Sequence, residues 1–342
     1  STNLVVQSQV FSGYSGSNRI VTDNSIVSPD GTVTGAILAD NGLGGTSSVQ
    51  VFESVTVDVS STYTYSVFAK KKDIDFIALR TSNFATVPSG QSYFDLNLGT
   101  TLGVAAGHTS KIENYGNGWY RCSITFTTDA VDTAGTIIAR LSQDGTTSTV
   151  DLDNTSNIYI WGFQFEKNSY ATSYIKTIGT TQTRVADTAS GSGNSTVINS
   201  SEGVLYAEIS ALANDGTTRA ISISDGTDVN RVRLIFDSAS PNTVGYLIYV
   251  NGLVVAENSF ISSDITQFSK YAVKWSVNDF ALWINGIKVK SDDNGVTFSA
   301  STLNTLQFAD GDGTSRTLFS NVKSVQVYTT ALSDAELISL TS

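Results

Sequence analysis

The stretch from Tyr271 to Lys290 constrains the fold more than any other part of the sequence. In its first half, apolar residues alternate with polar ones, which is the period of a strand with one buried face. Asn278-Asp279 and Asn285-Gly286 then provide two turns. Asn-Gly between alternating apolar runs favours a type I′ hairpin, because both central residues of that turn need positive φ. The stretch therefore predicts two short strands and part of a third.

The rest of the chain has the same character. Tyr246 to Val255 repeats the design around Asn251-Gly252. Of the 342 residues, 40% are apolar, 15% are charged and three are proline, a composition typical of short strands and many turns. Ser333 followed by Glu336 predicts a capping box that opens a short C-terminal helix. We expect an all-β chain with two tandem antiparallel β-sandwich domains of the jelly-roll type and this one helix.

The predicted domain boundary is a segment of small polar residues. Residues 188 to 201, TASGSGNSTVINSS, contain almost no large side chain, as is typical of a linker. We therefore predict a first domain over 1–188, a linker over 189–202 and a second domain over 203–342.

Charge and cysteine content limit the classes of function. The net charge is −11, and without a basic patch this argues against nucleic acid as a partner. No apolar run approaches the roughly 20 residues of a membrane span, so we expect no membrane insertion. The single cysteine, Cys122, excludes an intrachain disulfide and is predicted to be a small buried hydrophobe. The first residues lack a signal peptide, so we expect synthesis in the cytoplasm.

The first candidate ligand site is the turn that leads to Trp119. Trp119 is out of phase with Tyr120 and Cys122, so it should face away from their layer. It follows Tyr115-Gly116-Asn117-Gly118, a turn with hydrogen-bonding groups. Aromatic faces beside amides suit sugar binding, so Tyr115, Asn117 and Trp119 are predicted glycan contacts. The alternative is that Trp119 covers a sheet edge or packs against a loop.

The other three tryptophans are assigned by strand phase. Trp161 shares a strand face with Phe163 and Phe165 and is predicted to lie in the core, as is Trp275. Trp283 is out of phase with its apolar neighbours, so we expect it on an outer face, where a ligand or a neighbouring subunit could reach it.

Acidic turns provide a candidate metal site. Asp310-Gly311-Asp312-Gly313 offers hard oxygen ligands of the kind that calcium prefers. Asp310 and Asp312 are therefore candidate calcium ligands, and the alternative is an ordinary pair of Asp-Gly turns.

No catalytic residue is predicted. The acid pairs Asp73/Asp75, Asp151/Asp153 and Asp310/Asp312 lack the aromatic flanks of a sugar-cleaving cleft. The one histidine, His108, lies in a loop-like segment and supports no Ser–His–Asp arrangement. We therefore expect a chain that is not an enzyme.

The first half resembles a carbohydrate-binding-module-like jelly roll found in bacteriophage structural proteins. The resemblance is carried by phrases spread over residues 3 to 189: SPDGTVT at 28–34, TYTYSVFAK at 62–70, YFDLNLGT at 93–100, GNGWYRCSITF at 116–126, IYIWGFQFEKNSYATSYIKT at 158–177 and TRVAD at 183–187.

The second half resembles a concanavalin-A-like or laminin-G-like lectin domain over about 203 to 340. The shared features are the YAVKW strand, the WING turn and the closing SVQVYTTALSDAEL. Members of that family often bind calcium at loop edges, which adds to the prediction at Asp310 and Asp312.

Together the resemblances imply a non-enzymatic virion protein on the exterior of a bacteriophage particle: a tail fibre, a spike or a capsid decoration. It would attach the particle to host surface polysaccharide. Its other partners would be virion proteins, and it would form a symmetric homo-oligomer, a trimer by analogy. One alternative is a purely structural capsid or tail component that makes only protein contacts. A third reading is a surface-polysaccharide depolymerase.

Overall fold

The computed structural model describes residues 1–85, 90–184, 192–238 and 240–342. The chain divides into two compact units, Ser1–Ala186 and Asp187–Ser342. Both units are built from antiparallel strands, and the described residues contain one α-helix, at the C-terminal end. The all-β prediction is confirmed.

The described residues of the first unit form sixteen strands and one turn of 3₁₀-helix, Phe11–Gly13. In chain order the strands are β1 (Thr2–Asn3), β2 (Ser15–Ser17), β3 (Arg19–Ile26), β4 (Gly35–Asp40), β5 (Thr46–Ser47), β6 (Gln50–Thr56), β7 (Thr62–Lys71), β8 (Phe76–Ser82), β9 (Gly90–Asp95), β10 (Thr100–Thr101), β11 (Thr109–Gly116), β12 (Trp119–Thr127), β13 (Ala134–Ser142), β14 (Val150–Asp151), β15 (Asn157–Glu166) and β16 (Gln182–Thr183).

Two six-stranded sheets form the first sandwich. Sheet I has the order β10-β9-β8-β13-β6-β2, and sheet II has the order β11-β12-β7-β15-β4-β3. Alternate residues of both sheets fill one shared core, including Val51 and Leu79 from sheet I and Tyr65 and Ile124 from sheet II. The residues between them point outward, so each sheet also has an outer face on which a site can be built.

The second unit repeats this plan, and the part of it that the structure describes has ten strands and one helix. They are β17 (Gly203–Ala211), β18 (Arg219–Ser224), β19 (Arg231–Asp237), β20 (Thr243–Val250), β21 (Leu253–Ile261), β22 (Ser269–Trp275), β23 (Phe280–Ile284), β24 (Ile287–Asp292), β25 (Thr305–Gln307), β26 (Ser320–Tyr328) and α1 (Asp334–Thr341). Sheet III has the order β24-β23-β22-β17-β26, and sheet IV has the order β21-β20-β19-β18-β25.

The two Asn-Gly hairpins are present where the sequence predicts them. β20 and β21 pair around Asn251-Gly252, and β23 and β24 pair around Asn285-Gly286. Asn251 and Asn285 have φ of 52° and 47°, and the glycine after each has φ of 79°. Positive φ at both positions explains why this residue pair occupies the turns.

A short strand at the start of the chain closes the first unit. β1 pairs with β16, with Thr2 opposite Thr183. The buried side chain of Asn3 donates hydrogen bonds to the carbonyls of Phe163 and Ile175, at 3.2 and 2.9 Å, and accepts one from the backbone N–H of Phe165 at 3.1 Å. One amide side chain therefore joins three segments that are far apart in sequence.

The C-terminal helix begins with the predicted capping box. Ser333 accepts a hydrogen bond from the backbone N–H of Glu336, and the Glu336 carboxylate accepts one from the backbone N–H of Ser333 at 2.8 Å. Leu337 is fully buried against the outer face of sheet III, beside Val204 and Ala272. This apolar contact holds the helix on the sheet, together with a hydrogen bond from the backbone N–H of Gly286 to the Thr341 hydroxyl at 3.0 Å.

The second unit begins earlier than the sequence predicts. Within the predicted linker over 189–202, the structure describes residues 192–202. There Ile198 is buried in the core of the second unit, and the Ser200 hydroxyl accepts a hydrogen bond from the backbone N–H of Leu303 at 2.9 Å. This segment therefore belongs to the packed second unit, because one apolar side chain among small residues is enough to hold it there.

Two further features of the chain concern membranes and thiols. No helix in the described ranges has the length and apolar character needed to cross a membrane. Cys122 is fully buried in the first core, which confirms its predicted placement, and burial raises the pKa of its thiol.

His108 is buried in the first unit. Its ring nitrogens lie 2.9 Å from the Thr81 hydroxyl and 3.0 Å from the Ser92 hydroxyl. Burial disfavours the charged ring and lowers the pKa of His108 to about 4. At neutral pH the ring is therefore uncharged and serves as a hydrogen-bonding group of the interior.

We expect this histidine to make the first unit acid-sensitive. The unfolded chain takes up a proton near pH 6.5, whereas the folded chain does so only near pH 4. Its contribution to stability is therefore complete above pH 6.5 and is lost as the pH falls to 4, by roughly 3 kcal/mol in total. Denaturant unfolding of the first unit at a series of pH values measures this loss. His108→Gln should remove this component of the pH dependence, and an unchanged profile would contradict the assignment.

Candidate functional site

Trp119 faces outward from sheet II, as predicted, but it is not accessible. Only 2% of its surface is exposed, and it packs with Phe68 and Trp161 in an aromatic cluster separate from the main core. Its ring N–H donates a hydrogen bond to the carbonyl of Val27 at 3.1 Å. The β3–β4 connection therefore covers the ring, and the prediction that Trp119 stacks on a sugar is wrong for this conformation.

The two residues predicted to accompany Trp119 are at the surface. Tyr115 is 46% exposed, and its ring meets the Phe68 ring edge-on at 4.8 Å between centroids. Asn117 has φ of 52° in the turn, and its carbonyl accepts a hydrogen bond from the Lys70 ammonium at 2.7 Å. With the ring of Trp119 covered, Tyr115 and Asn117 have no accessible indole face beside them.

A β-bulge changes the assignment of Trp161. The pairing of β15 with β7 shifts between Trp161 and Gln164, and Gly162 has φ of 67°. Trp161 therefore lies in the outer cluster, whereas Phe163 and Phe165 point into the core. The predicted common face for these three residues is wrong because the extra residue in the bulge reverses the alternation.

Trp283 also lies on an outer face, as its phase predicts, and is also covered. It is 3% exposed and lies under Leu337 of α1. The Lys288 ammonium lies 5.2 Å from the centre of its ring and forms an ion pair with Asp334 of the helix at 2.6 Å. The accessible position expected for Trp283 is therefore wrong, because the capped helix folds back over it.

The predicted calcium ligand Asp310 is fully buried among arginines. Its carboxylate is 2.9 Å from Arg231 Nε and 2.6 Å from Arg316 Nη1, and it also pairs with Arg233. Three cationic side chains around one carboxylate repel a divalent cation, so this position does not fit calcium.

Asp312 has a different role, as a turn cap. Its carboxylate accepts hydrogen bonds from the backbone N–H groups of Thr314 and Ser315, both at 2.9 Å. These bonds lower the pKa of Asp312 to about 2. Within the described residues, no group of three or more His, Cys, Asp or Glu side chains is arranged to hold a metal ion.

The structure instead presents a cleft on the second unit, at sheet IV and its edge. It has a volume of about 400 Å³. Strand pairing places Arg233 beside Leu247 and Leu247 beside Glu257, and in the next row Ile235 beside Gly245 and Gly245 beside Ser259. The lining residues are Arg233, Ile235, Asp237, Gly245, Tyr246, Leu247, Glu257, Asn258, Ser259 and Lys290.

Gly245 is needed for this surface. A Cβ atom at this position would lie 2.8 Å from the carbonyl oxygen of Asn258 and 3.4 Å from Cγ2 of Ile235. A side chain is therefore excluded at the middle of the row, and bare backbone remains between Ile235 and Ser259. Exposed backbone between an apolar and a polar side chain gives a small polar ligand both kinds of contact.

The cleft combines donors and acceptors with an apolar surface. Arg233 is buried, and its Nε has no hydrogen-bond partner among the described residues. Burial lowers the pKa of the Arg233 guanidinium, and the charge of Asp310 opposes that shift. Glu257 and Ser259 are exposed acceptors, while Ile235 and Leu247 contribute apolar surface. Such a mixture suits the hydroxyl groups and C–H faces of a sugar.

The acids of the cleft do not form a hydrolytic pair. Glu257 and Asp237 lie two strands apart and four residues apart along the strand direction, because Asp237 pairs with Thr243 and Thr243 with Ile261. Strand spacing then separates their Cα atoms by roughly 16 Å. The two carboxylates lie at different ends of the surface and do not flank one glycosidic bond.

One indication of this site is present in the sequence, although it involves no aromatic residue. In β19, Arg231 and Arg233 alternate with Val232 and Leu234, so two arginines on one face of a buried strand could be read directly. The partner strands and Gly245 could not be read in this way, because they depend on long-range register.

Comparisons with known proteins find solved structures that are similar to part of this chain in fold and have low sequence identity to it. No protein-family model and no curated protein matches the chain. The carbohydrate-binding module CBM40 of the Ruminococcus gnavus IT-sialidase, solved with α2,3-sialyllactose, is 19% identical with a TM-score of 0.37, covering 45% of this chain and 94% of its own. Sheep galectin-11 is 11% identical with a TM-score of 0.28, covering 42% of this chain and 99% of its own. At these TM-scores the similarity assigns no ligand to this chain.

Proposed function

We propose that this chain is a non-catalytic glycan-binding protein and that the cleft on sheet IV is its ligand site. The observation that carries the proposal is the row of Arg233, Leu247 and Glu257 across three strands, next to the bare backbone of Gly245. A donor, an apolar contact and an acceptor on a rigid sheet provide the three kinds of contact that a hexose needs.

The biological setting that we propose follows from the resemblance of the first domain. Its phrases are similar to those of bacteriophage structural proteins, so the chain would lie on the exterior of a phage particle and bind host surface polysaccharide. Its other partners would be virion proteins. Single-site glycan contacts are weak, and a homo-oligomer such as a trimer would multiply them by avidity.

Replacing Glu257 tests the ligand site. The side chain is exposed, so Glu257→Gln keeps the fold and removes the charge that strengthens hydrogen bonds to sugar hydroxyls. A hydrogen bond to a charged group contributes about 1.5–3 kcal/mol and a neutral one about 0.5–1.5 kcal/mol, so the amide should lose about 1–1.5 kcal/mol and affinity should fall by roughly 5- to 10-fold. The measurement is titration calorimetry with the oligosaccharide that binds best among a panel of bacterial surface polysaccharides.

Asp293→Asn provides the matched control. Asp293 is an exposed acid of the same unit that does not line the cleft, so its replacement should leave affinity unchanged. Equal affinity in the wild type and Glu257→Gln would remove the cleft as the site. Absence of binding to every polysaccharide, together with tight binding to another particle protein, would instead support a purely structural component. Shortening of the polysaccharide chains would support a depolymerase.

A further inference from the structure

The outer face of sheet I carries two arginines that the glycan cleft does not involve. Arg80 on β8 lies opposite Ile138 on β13, and Arg140 on β13 lies opposite Ala78 on β8. The two arginines are thus diagonal neighbours on one face, about 7–8 Å apart at their backbones. Ala78 and Ile138 are absent from the shared core, consistent with their outward direction.

Among the residues that the structure describes, Arg140 has a hydrogen-bond partner for its guanidinium group and Arg80 has none. Arg140 is 6% exposed, and its Nε donates a hydrogen bond to the side-chain oxygen of Gln50 at 2.8 Å. Arg80 is half-buried and forms no hydrogen bond or ion pair with any described residue. Burial and the charge of Arg80 lower the pKa of Arg140 to about 10, so Arg140 is still cationic at neutral pH.

No carboxylate of the described residues forms an ion pair with either arginine. The charge of Asp144 reaches the neighbouring Tyr93, but its Oδ1 accepts from the backbone N–H groups of Thr146 and Thr147, at 2.8 and 2.7 Å. In the described part of the chain, neither Arg80 nor Arg140 forms an ion pair with Asp144 or any other acid. Two charged groups held close together without a counter-charge are costly unless a ligand supplies one.

An unsatisfied acceptor lies beside the arginines. Gln91 on β9 is directly opposite Arg80, and its amide nitrogen donates to the Tyr93 hydroxyl. The other end of this amide, Oε1, is buried and receives no hydrogen bond. Buried polar atoms almost always have a hydrogen-bond partner. The Gln91 oxygen could therefore accept a hydrogen bond from a ligand hydroxyl group.

We infer that this arginine pair is a second ligand site, one that binds the carboxylate of an acidic sugar. The planar carboxylate fits the forked donors of a guanidinium, and a ring hydroxyl beside it can donate to Gln91 Oε1. A single ligand of this kind supplies both the negative charge and the donor that the face lacks.

The arginine pair lies in the first unit, so the proposal of this site can be tested independently of the proposed cleft in the second unit. Titration calorimetry of the full chain with a galacturonic acid trisaccharide should give binding that a neutral galactose trisaccharide does not give. Arg80→Gln should weaken binding at least tenfold. Arg80→Lys should weaken it less, because the charge remains while the forked donor is lost. Asp293→Asn, at an exposed acid of the second unit outside the cleft, should leave it unchanged.

Lys111→Gln is the matched control, because Lys111 is a half-buried cation of the same unit on sheet II. Its replacement should leave uronate binding as in the wild type. Gln91→Glu is a variant of the opposite kind: its carboxylate would lie opposite Arg80 and occupy the guanidinium, so uronate binding should be lost while the melting temperature is kept or raised.

Three results would overturn the inference. The first is absence of binding to the galacturonic acid trisaccharide, and the second is equal affinity in the wild type and Arg80→Gln. The third is competition by inorganic phosphate at concentrations equal to the trisaccharide, which would show a general oxyanion site with no preference for an acidic sugar.

Discussion

Asp310→Asn will destabilise the second unit by about 3–5 kcal/mol, because it removes the buried counter-charge of Arg231 and Arg233. Arg231 and Arg233 are both buried, and each has Asp310 as its buried acidic partner. The neutral amide has nearly the same shape as the carboxylate. The loss of stability therefore measures the missing charge and not a change in packing. Calorimetric unfolding measures it, and hydrogen exchange of β18 and β19 assigns it to the second unit.

The neighbouring acid provides the control for this experiment. Asp312→Asn removes a turn cap at a half-exposed position and should cost about 1 kcal/mol or less. Added calcium should leave the melting temperature of the wild type unchanged, since the Asp310 carboxylate already has three cationic partners. A calcium-dependent rise that Asp310→Asn abolishes would contradict this account and restore the calcium site predicted from the sequence.

Trp119→Ala will destabilise the first unit by about 3–5 kcal/mol without a direct effect on glycan affinity. The indole packs on Phe68 and Trp161 and donates a hydrogen bond to Val27, so truncation leaves a cavity and an unpaired carbonyl. The measurement is denaturant unfolding of the first unit, followed by glycan titration under conditions where the variant is folded.

Tyr115→Ala is the matched aromatic control. Tyr115 is largely at the surface and contacts the same Phe68 ring, so its loss should cost about 1 kcal/mol. If Trp119→Ala instead lost glycan affinity while retaining full stability, the covered position of its ring would be wrong and the sequence-based ligand site would regain support.

Local patterns were sufficient for the parts of the fold that depend on neighbouring residues. The Asn-Gly hairpins at Asn251 and Asn285 and the capping box at Ser333 follow from conformational preferences within four residues. The outward phase of Trp119 and Trp283 was also correct, because alternation along one strand determines it.

The candidate sites could not be predicted in the same way, because they depend on what lies over each face. Trp283 is covered by a helix about fifty residues later, and Asp310 meets arginines from a strand about eighty residues earlier. For Trp161, one residue in the left-handed region at Gly162 reverses the strand phase. Alternation gives the direction of a side chain, whereas its accessibility depends on tertiary contacts.

The pairing of β1 with β16 also sets an order of events during synthesis. Asn3 leaves the ribosome before its partners, because Phe163, Ile175 and the strand at Gln182–Thr183 follow about 160 to 180 residues later. At 5–20 residues per second, this interval lasts roughly ten to forty seconds. During that time β1 has no partner strand, because β16 has not yet been made. The first unit can therefore complete its fold only after its own last residues are translated.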